Sequence, residues 1–225
     1  MNAGCAVIEW AGETLTLLPE RAIWWERERT LFIADPHFGK AATFRFSGIP
    51  VPETSHEDDL ARLDGVLARL EARQLVILGD FFHAKCGRNE STLGPLAKWR
   101  ARCSTLEIVL VLGNHDRHAG SPPMDWRIEC VNGPWGFGPF HCRHEPEAAE
   151  AAFVLAGHIH PSCGLPDRIG SGLRGPCFHF GNRVAVLPAF GSFTGSQPVR
   201  PARGERIFLV GPDSVMEITR AIRRD

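Results

Sequence analysis

Four short runs of aliphatic and β-branched residues each stop at a side chain able to bind a metal, and this pattern narrows the folds open to the chain. Residues 30–34 lead into Asp35-Pro36-His37, and residues 74–78 into Gly79-Asp80. Residues 107–112 lead into Gly113-Asn114-His115-Asp116, and residues 151–156 into Gly157-His158-Ile159-His160. Runs of this length, bounded by Gly or Pro, read as buried strands. Ligands of open α/β sheets gather outside the carboxyl ends of the strands. Carboxylates, imidazoles and an amide are therefore expected to meet along one sheet edge.

Around these runs the first half of the chain alternates strand and helix. Residues 6–10 and 14–18, joined through Gly12, predict a hairpin, and residues 22–25 a further strand. Leu60, Leu63, Leu67 and Leu70 form one stripe of a helix over 55–72, with Thr54 and Glu57 at capping-box spacing. A second helix is expected over 91–102, facing Leu93, Leu96 and Trp99 inward and carrying Pro95 in its first turn. Beyond His160 the pattern turns to hairpins, 177–180 with 183–187 and 206–210 with 215–219. Two sheets packed face to face with helices outside fit this change better than one doubly wound sheet.

A chain of 225 residues with 44% hydrophobic and 23% charged content is long enough for one well-buried core, and no linker or repeat divides it. A single domain over 1–225 is expected. The net charge of -1 announces no polyanion partner, so a nucleic acid would need a local patch. Arg21, Arg27 and Arg29, or Arg220, Arg223 and Arg224, are candidates, with scattered solvated arginines the plainer reading. Seven scattered cysteines without a Cys-x-x-Cys pair point to reduced thiols rather than a disulfide framework. With no signal peptide and no bilayer-length apolar run visible, a cytoplasmic protein without a membrane partner is expected.

Each ligand block has an ordinary structural explanation when taken alone. Asp35-Pro36-His37 would put a carboxylate and an imidazole on one face of a continuing strand, a donor pair suited to Mn, Fe or Zn. Asp80 either caps a turn or bridges two ions through its two oxygens. Asn114 offers a neutral carbonyl oxygen, and His115 beside it is placed to protonate a departing alkoxide. Asp116 either fixes the His115 tautomer or binds nearby backbone. His158 and His160 would share a face with Ile159 pointing into the core, and His144 supplies a third imidazole, with His141 as its competitor. Together, in this order, the blocks describe a metal centre.

That ordered set resembles the calcineurin-like metallophosphoesterase superfamily. Within it the chain is similar to the bacterial ligase-associated metallophosphoesterases. The matching stretches are Leu17-Leu18-Pro19-Glu20-Arg21-Ala22, His37-Phe38-Gly39-Lys40-Ala41-Ala42-Thr43-Phe44-Arg45, Gly48-Ile49-Pro50-Val51-Pro52, Gly79-Asp80-Phe81-Phe82-His83, His144-Glu145-Pro146 and Leu187-Pro188-Ala189-Phe190-Gly191. The resemblance implies an α/β (α+β) fold, a four-layer αββα sandwich of two mixed sheets flanked by helices. It implies two divalent ions, manganese with iron or zinc as alternatives, joined by an aspartate and a hydroxide. Asp35, His37, Asp80 and His160 would hold the first ion; Asp80, Asn114, His144 and His158 the second. His115 would be the leaving-group acid, with Asp116 and His83 completing the candidate catalytic set. Many members have Asp where His83 stands, and Leu or Thr where Pro36 stands. Members act as Mn-dependent phosphodiesterases or endonucleases, associated with an ATP-dependent DNA ligase, a helicase and a nuclease-like partner in DNA repair.

The expected reaction is in-line attack on phosphorus between ions about 3.5–4 Å apart. Lys40 and Arg45 follow the first block closely and are candidate phosphate contacts. The rival readings are a phosphomonoesterase, a nucleotide pyrophosphatase, or a scaffold of the same fold without activity. The loops over 117–126 and 161–175, the latter with Arg168 and Arg174, carry no readable structure.

Overall fold

Strands that are apolar at every position must be covered on both faces. The computed structural model, which describes residues 4–51, 55–164 and 174–222, places the ligand-bearing strands between two layers in this way. Strands β1 (Ala6–Trp10), β2 (Glu13–Leu18), β3 (Ala22–Trp25) and β4 (Thr30–Ile33) form an antiparallel meander. Helices α1 (Lys40–Phe46) and α2 (Ser55–Leu70) then lead to β5 (Gln74–Leu78), and α3 (Glu90–Arg102) leads to β6 (Glu107–Val111). Helix α4 (Asn114–Ala119) precedes β7 (Ile128–Val131). Strands β4 to β7 are parallel, so the first sheet has seven strands in the order β1-β2-β3-β4-β5-β6-β7.

The second sheet is built from β8 (Trp135–Phe137), β9 (Phe140–Cys142), β10 (Phe153–Ala156), β11 (Pro161–Gly164), β12 (Arg174–Phe180), β13 (Val184–Val186), β14 (Gln197–Pro198), β15 (Arg206–Val210) and β16 (Val215–Glu217). It too is mixed: β9, β10 and β13 lie parallel, while β12 pairs antiparallel with β11, β13 and β15. A short helix α5 (Thr219–Ile222) follows.

Alternation along the parallel strands divides the core. Leu31, Ile33, Leu75, Ile77, Ile108 and Leu110 pack under α2 and α3, against Leu60, Leu63, Leu67, Leu96 and Trp99. Phe32, Ala34, Val76, Leu78 and Val111 face the other way, onto Phe140, Leu155, Phe178 and Leu187 of the second sheet. Each Val, Leu, Ile or Phe among them contributes roughly 1.5–3 kcal/mol when fully buried. The outer face of the second sheet carries a smaller cluster of Cys163, Cys177, Ile207, Leu209 and Ile218, covered by Val199 and by Ile222 of α5. The fourth layer of the expected sandwich is thus thin among the described residues.

Most expected elements are present, with differences that have local causes. The strands stop earlier than their apolar runs, at Ile33 and Val111, because the chain turns to deliver its ligands. Helix α3 begins at Glu90, capped by the Asn89 side chain accepting from the Thr92 amide, so Pro95 lies beyond its first turn. The missing N–H there removes the bond to the Ser91 carbonyl at the exposed start of the helix. The stretch 117–126 is partly helical through α4, and 161–164 pairs with 174–176. Thr54, Arg168, Arg223 and Arg224 lie outside the described residues. Arg27 and Arg29 form no patch: they pair with Glu13 at 2.8 Å and Glu71 at 2.9 Å. Among the described residues, no helix is long and apolar enough to cross a membrane.

Candidate metal centre

The ligand blocks leave their strands through left-handed backbone. Asp35, His37, Asp80, His158 and His160 have φ of 50°, 46°, 51°, 71° and 46°, and they make up half of the ten non-glycine residues described with positive φ. Holding L-residues there costs roughly 1–2 kcal/mol each. Strand geometry therefore does not continue through Asp35-Pro36-His37 or His158-Ile159-His160, and neither pair shares a strand face as the spacing suggested. Ile159 is only half-buried, outside the core. His158 and His160 instead turn to different neighbours. Backbone bonds zip the blocks together, His37 N–H to the Asp80 carbonyl at 2.9 Å and Phe38 N–H to the Phe81 carbonyl at 2.9 Å.

Two half-sites result. In the first, His37 Nε2 lies 3.2 Å from His160 Nε2 and 3.7 Å from Asp80 Oδ2, and His160 Nε2 lies 3.6 Å from Asp35 Oδ2. In the second, Asn114 Oδ1 lies 2.8 Å from His144 Nε2 and 3.2 Å from His158 Nδ1. The two imidazole nitrogens are 3.0 Å apart, and His144 Nε2 is 3.5 Å from Asp80 Oδ1. Asp80 thus presents one oxygen to each half. Donors about 2.0–2.2 Å from a common ion lie about 2.8–3.6 Å from one another, so both halves are close to the spacing of a coordination shell.

Glycine is required next to this cluster. A Cβ on Gly79, Gly113 or Gly157 would stand 2.0 Å from His144 Nδ1, 2.2 Å from Asp80 Oδ1 or 2.4 Å from Asp35 Oδ2. The Gly-Asp, Gly-Asn and Gly-His pairs of the sequence are thereby explained: each glycine makes room for a donor from a neighbouring block.

Protonation also suits a cation. His144 Nδ1 faces the Leu78 carbonyl at 3.1 Å and His160 Nδ1 the Gly195 carbonyl at 3.0 Å. A carbonyl only accepts, so Nδ1 carries the proton in both rings and Nε2 keeps a lone pair for the site. Burial pushes the imidazoles of His144 and His160 down to about 4 and that of His37 further, with His160 and His115 adding to the effect at His37. Burial raises the Asp35 and Asp80 carboxyls above their ordinary range, with Asp80 adding to the rise at Asp35. Asp35 Oδ1 is buried with no hydrogen-bond partner among the described residues. Neutral imidazoles facing crowded, buried carboxylates are an arrangement that a divalent cation relieves. The residues present therefore fit a pair of metal ions.

The sequence pattern of calcineurin-like phosphoesterases matches residues 28–181, which hold every donor named above. The chain belongs to the calcineurin-like phosphoesterase family. It is a metal-dependent phosphoester hydrolase. Its structure is similar to the crystal structure of Pseudomonas putida nuclease MPE, at 42% identity and a TM-score of 0.82, over 95% of this chain and 99% of that one. A search of curated proteins found no match.

In this phosphoesterase the remaining candidates divide by what they touch. His115 Nδ1 lies 2.6 Å from the His83 carbonyl, so its proton sits there, and Nε2 stands 4.0 Å from Asp80 Oδ2 on the side of the metal centre. His83 stacks on His115 at 4.8 Å and sets Nδ1 3.3 Å from His37 Nδ1. Residue 83 thus supports the His115 ring through its backbone carbonyl. Of the two roles open to Asp116, its hydrogen bonds are those of the second, with nearby backbone. One of its oxygens accepts from the amides of Phe81 and Phe82 and the other from Gly113, so it positions the Asp80 and Asn114 turns. Lys40 opens α1, half-buried beside His37 and His83; burial lowers the pKa of both imidazoles, and the Lys40 charge adds to the fall. Arg45 donates to the Val51 carbonyl at 3.2 Å. His141 is the middle residue of β9 between buried Phe140 and Cys142, so alternation turns it away from the inter-sheet core. What the sequence did not reveal is the left-handed backbone and the tautomer-fixing carbonyls, which leave no residue-type signal.

Proposed function

We propose that this phosphoesterase hydrolyses phosphodiester bonds of nucleic acid, with DNA in a bacterial repair setting as the substrate and manganese as the metal. The observation that carries the reading is the pair of half-sites sharing Asp80. In it, Asp35, His37, Asp80 and His160 would hold one ion, and Asp80, Asn114, His144 and His158 would hold the other. When bound, the two cations supply Lewis acidity, offsetting charge on the phosphoryl oxygens and making water more acidic. The chain's own residues do the rest. His115, whose Nδ1–H faces the His83 carbonyl, gives a proton from Nε2 to the leaving oxygen as its bond to phosphorus breaks. Lys40 offers positive charge to a non-bridging phosphate oxygen.

One feature favours a diester strand over a lone monoester. Grooves run off both halves, one past His160 and Arg174, the other past Asn114, Arg117 and Arg143. The likeness to a nuclease supports a nucleic-acid strand as occupant. Extension of this domain over residues 1–225, the cytoplasm as its compartment, and association with a ligase and helicase belong to the same reading.

Asp80→Ala should abolish manganese-dependent hydrolysis of bis(p-nitrophenyl) phosphate; unchanged turnover refutes the shared-ligand assignment. A panel of single-stranded DNA, duplex DNA, cyclic dinucleotides and monoesters then tests the substrate. Internal cleavage of DNA supports the reading, whereas release of inorganic phosphate from monoesters alone favours a phosphomonoesterase.

A further inference from the structure

A cavity of about 330 Å³ opens beside the first half-site, with His160 on its wall. At about 30 Å³ per water it has room for roughly ten, more than a lone phosphate needs. Its polar lining is unevenly satisfied. Thr194 donates to the Gly191 carbonyl and Ser192 to Asp59. Ser162, two residues beyond His160 at the start of β11, is 2% exposed, and its Oγ has no hydrogen-bond partner among the described residues. A buried hydroxyl without a partner costs about 1–3 kcal/mol, so its retention here points to a ligand.

The charges beside it are positive and unspent. Arg21 is held in place by bonds from Nη1 to the Ala189 and Gly191 carbonyls, leaving its other N–H groups. The nearby Asp59 pairs with Arg62 at 2.9 Å and also acts on Arg21, so one carboxylate faces two guanidinium groups and a net positive charge remains. Arg174, at the start of β12, lines the same cavity and has no ion pair among the described residues. Two guanidinium groups and an orphaned hydroxyl suit an anion rich in acceptors.

We propose that this cavity is a second phosphate subsite, holding the phosphate next to the one being hydrolysed, with its sugar. Ser162 and Arg174 bind the non-bridging oxygens, and Arg21 provides fixed positive charge. The substrate then carries at least two phosphates in a chain. The inference rests on the nucleic-acid reading and deepens it, since a site with only the metal centre would accept any single diester.

The test compares an oligonucleotide with bis(p-nitrophenyl) phosphate, which has one phosphate. Ser162→Ala removes a hydroxyl with no hydrogen-bond partner among the described residues, and Arg174→Gln removes an exposed charge, so both variants should fold and keep their metal. Each is expected to raise KM for the oligonucleotide about tenfold, the loss of one hydrogen bond to a charged group. Values for bis(p-nitrophenyl) phosphate should stay within about twofold of the parent. A neutral methylphosphonate at one linkage flanking the cleaved one should raise KM for the parent and not for the variants. Unaltered KM for the oligonucleotide in both variants, or equal rises with both substrates, overturns the subsite while leaving the nucleic-acid reading standing. A parent that hydrolyses bis(p-nitrophenyl) phosphate but neither binds nor cleaves any oligonucleotide removes that reading, and the subsite with it.

Discussion

Each catalytic-site histidine has two nitrogens, and the structure decides their roles by what stands behind the ring. His144 and His160 turn Nδ1 to a backbone carbonyl and Nε2 to the centre, which suits ligation. His115 also gives Nδ1 to a carbonyl, that of His83, but its Nε2 stands 4.0 Å from Asp80 Oδ2, within reach of a leaving oxygen. A proton donor matters most when the leaving group is a poor one. His115→Ala is therefore expected to lower kcat by about 10²–10⁴-fold for a diester expelling an alkoxide. For p-nitrophenolate, which leaves without help, the fall should stay below about tenfold. Steady-state rates over a series of leaving groups check this, and an equal fall across the series would show that His115 serves the fold or the metals instead. Residue types alone made His115 a candidate. They could not separate its role from that of Asp116, because the distinction lies in which backbone amides the carboxylate meets.

At the scale of elements, the sequence displayed the strands and hid the turns. Apolar runs five or six residues long announced β4, β5, β6 and β10, and the ligands that follow them marked the site edge. Helices α1 and α4 escaped notice because six or seven residues, several of them polar and drawn into the centre, carry no apolar stripe. Strands β8, β9 and β14 are two or three residues long, too short for alternation to register. The glycines before the ligands were legible as breakers, while their real constraint, the approach of a donor from another block, appears only in three dimensions. Gly113→Ala puts a methyl group where Asp80 Oδ1 now lies. It should lower the bound metal measured by elemental analysis from two ions per chain to one or none, with the far-UV spectrum retained. Full metal content in Gly113→Ala would mean that the turn can yield. Gly65→Ala is the control: it lies within α2 with open space around its Cβ position and should raise stability by about 0.5–1 kcal/mol in urea unfolding.

On the scale of the whole molecule, the metal centre sits where the two sheets meet at one end. Asp35, His37, Asp80 and Asn114 come from the first sheet's turns, and His144, His158 and His160 from the second's. The sheets are also joined there by the Phe190 amide to the Ala34 carbonyl at 2.7 Å. The opposite end is closed by aromatic packing, with Trp25 beside Thr30, the residue of β4 farthest from Asp35. Trp25 meets Phe137 at 5.2 Å and Phe140 at 5.1 Å. That apolar end needs no metal, so the chain should fold without ions. The donor end does need them, because Asp35 and Asp80 are buried side by side and their only ion-pair partners among the described residues are histidines. An ion bound to the folded form alone adds about 2.7 kcal/mol at a hundred times its dissociation constant. For a chain of this size each kcal/mol moves Tm by about 2–4 °C, so each occupied half-site should add about 5–11 °C. Calorimetry of the chelated protein, titrated with manganese, should show Tm rising in two steps while near-UV circular dichroism of the aromatic end stays the same. The same titration of Asp35→Asn should lose one step and keep the other, since in the proposed assignment Asp35 is a ligand of the first half and meets the second only through the His158 amide and His144 Nδ1. Identical Tm with and without metal would mean that the donors of the two sheets are not joined through bound ions.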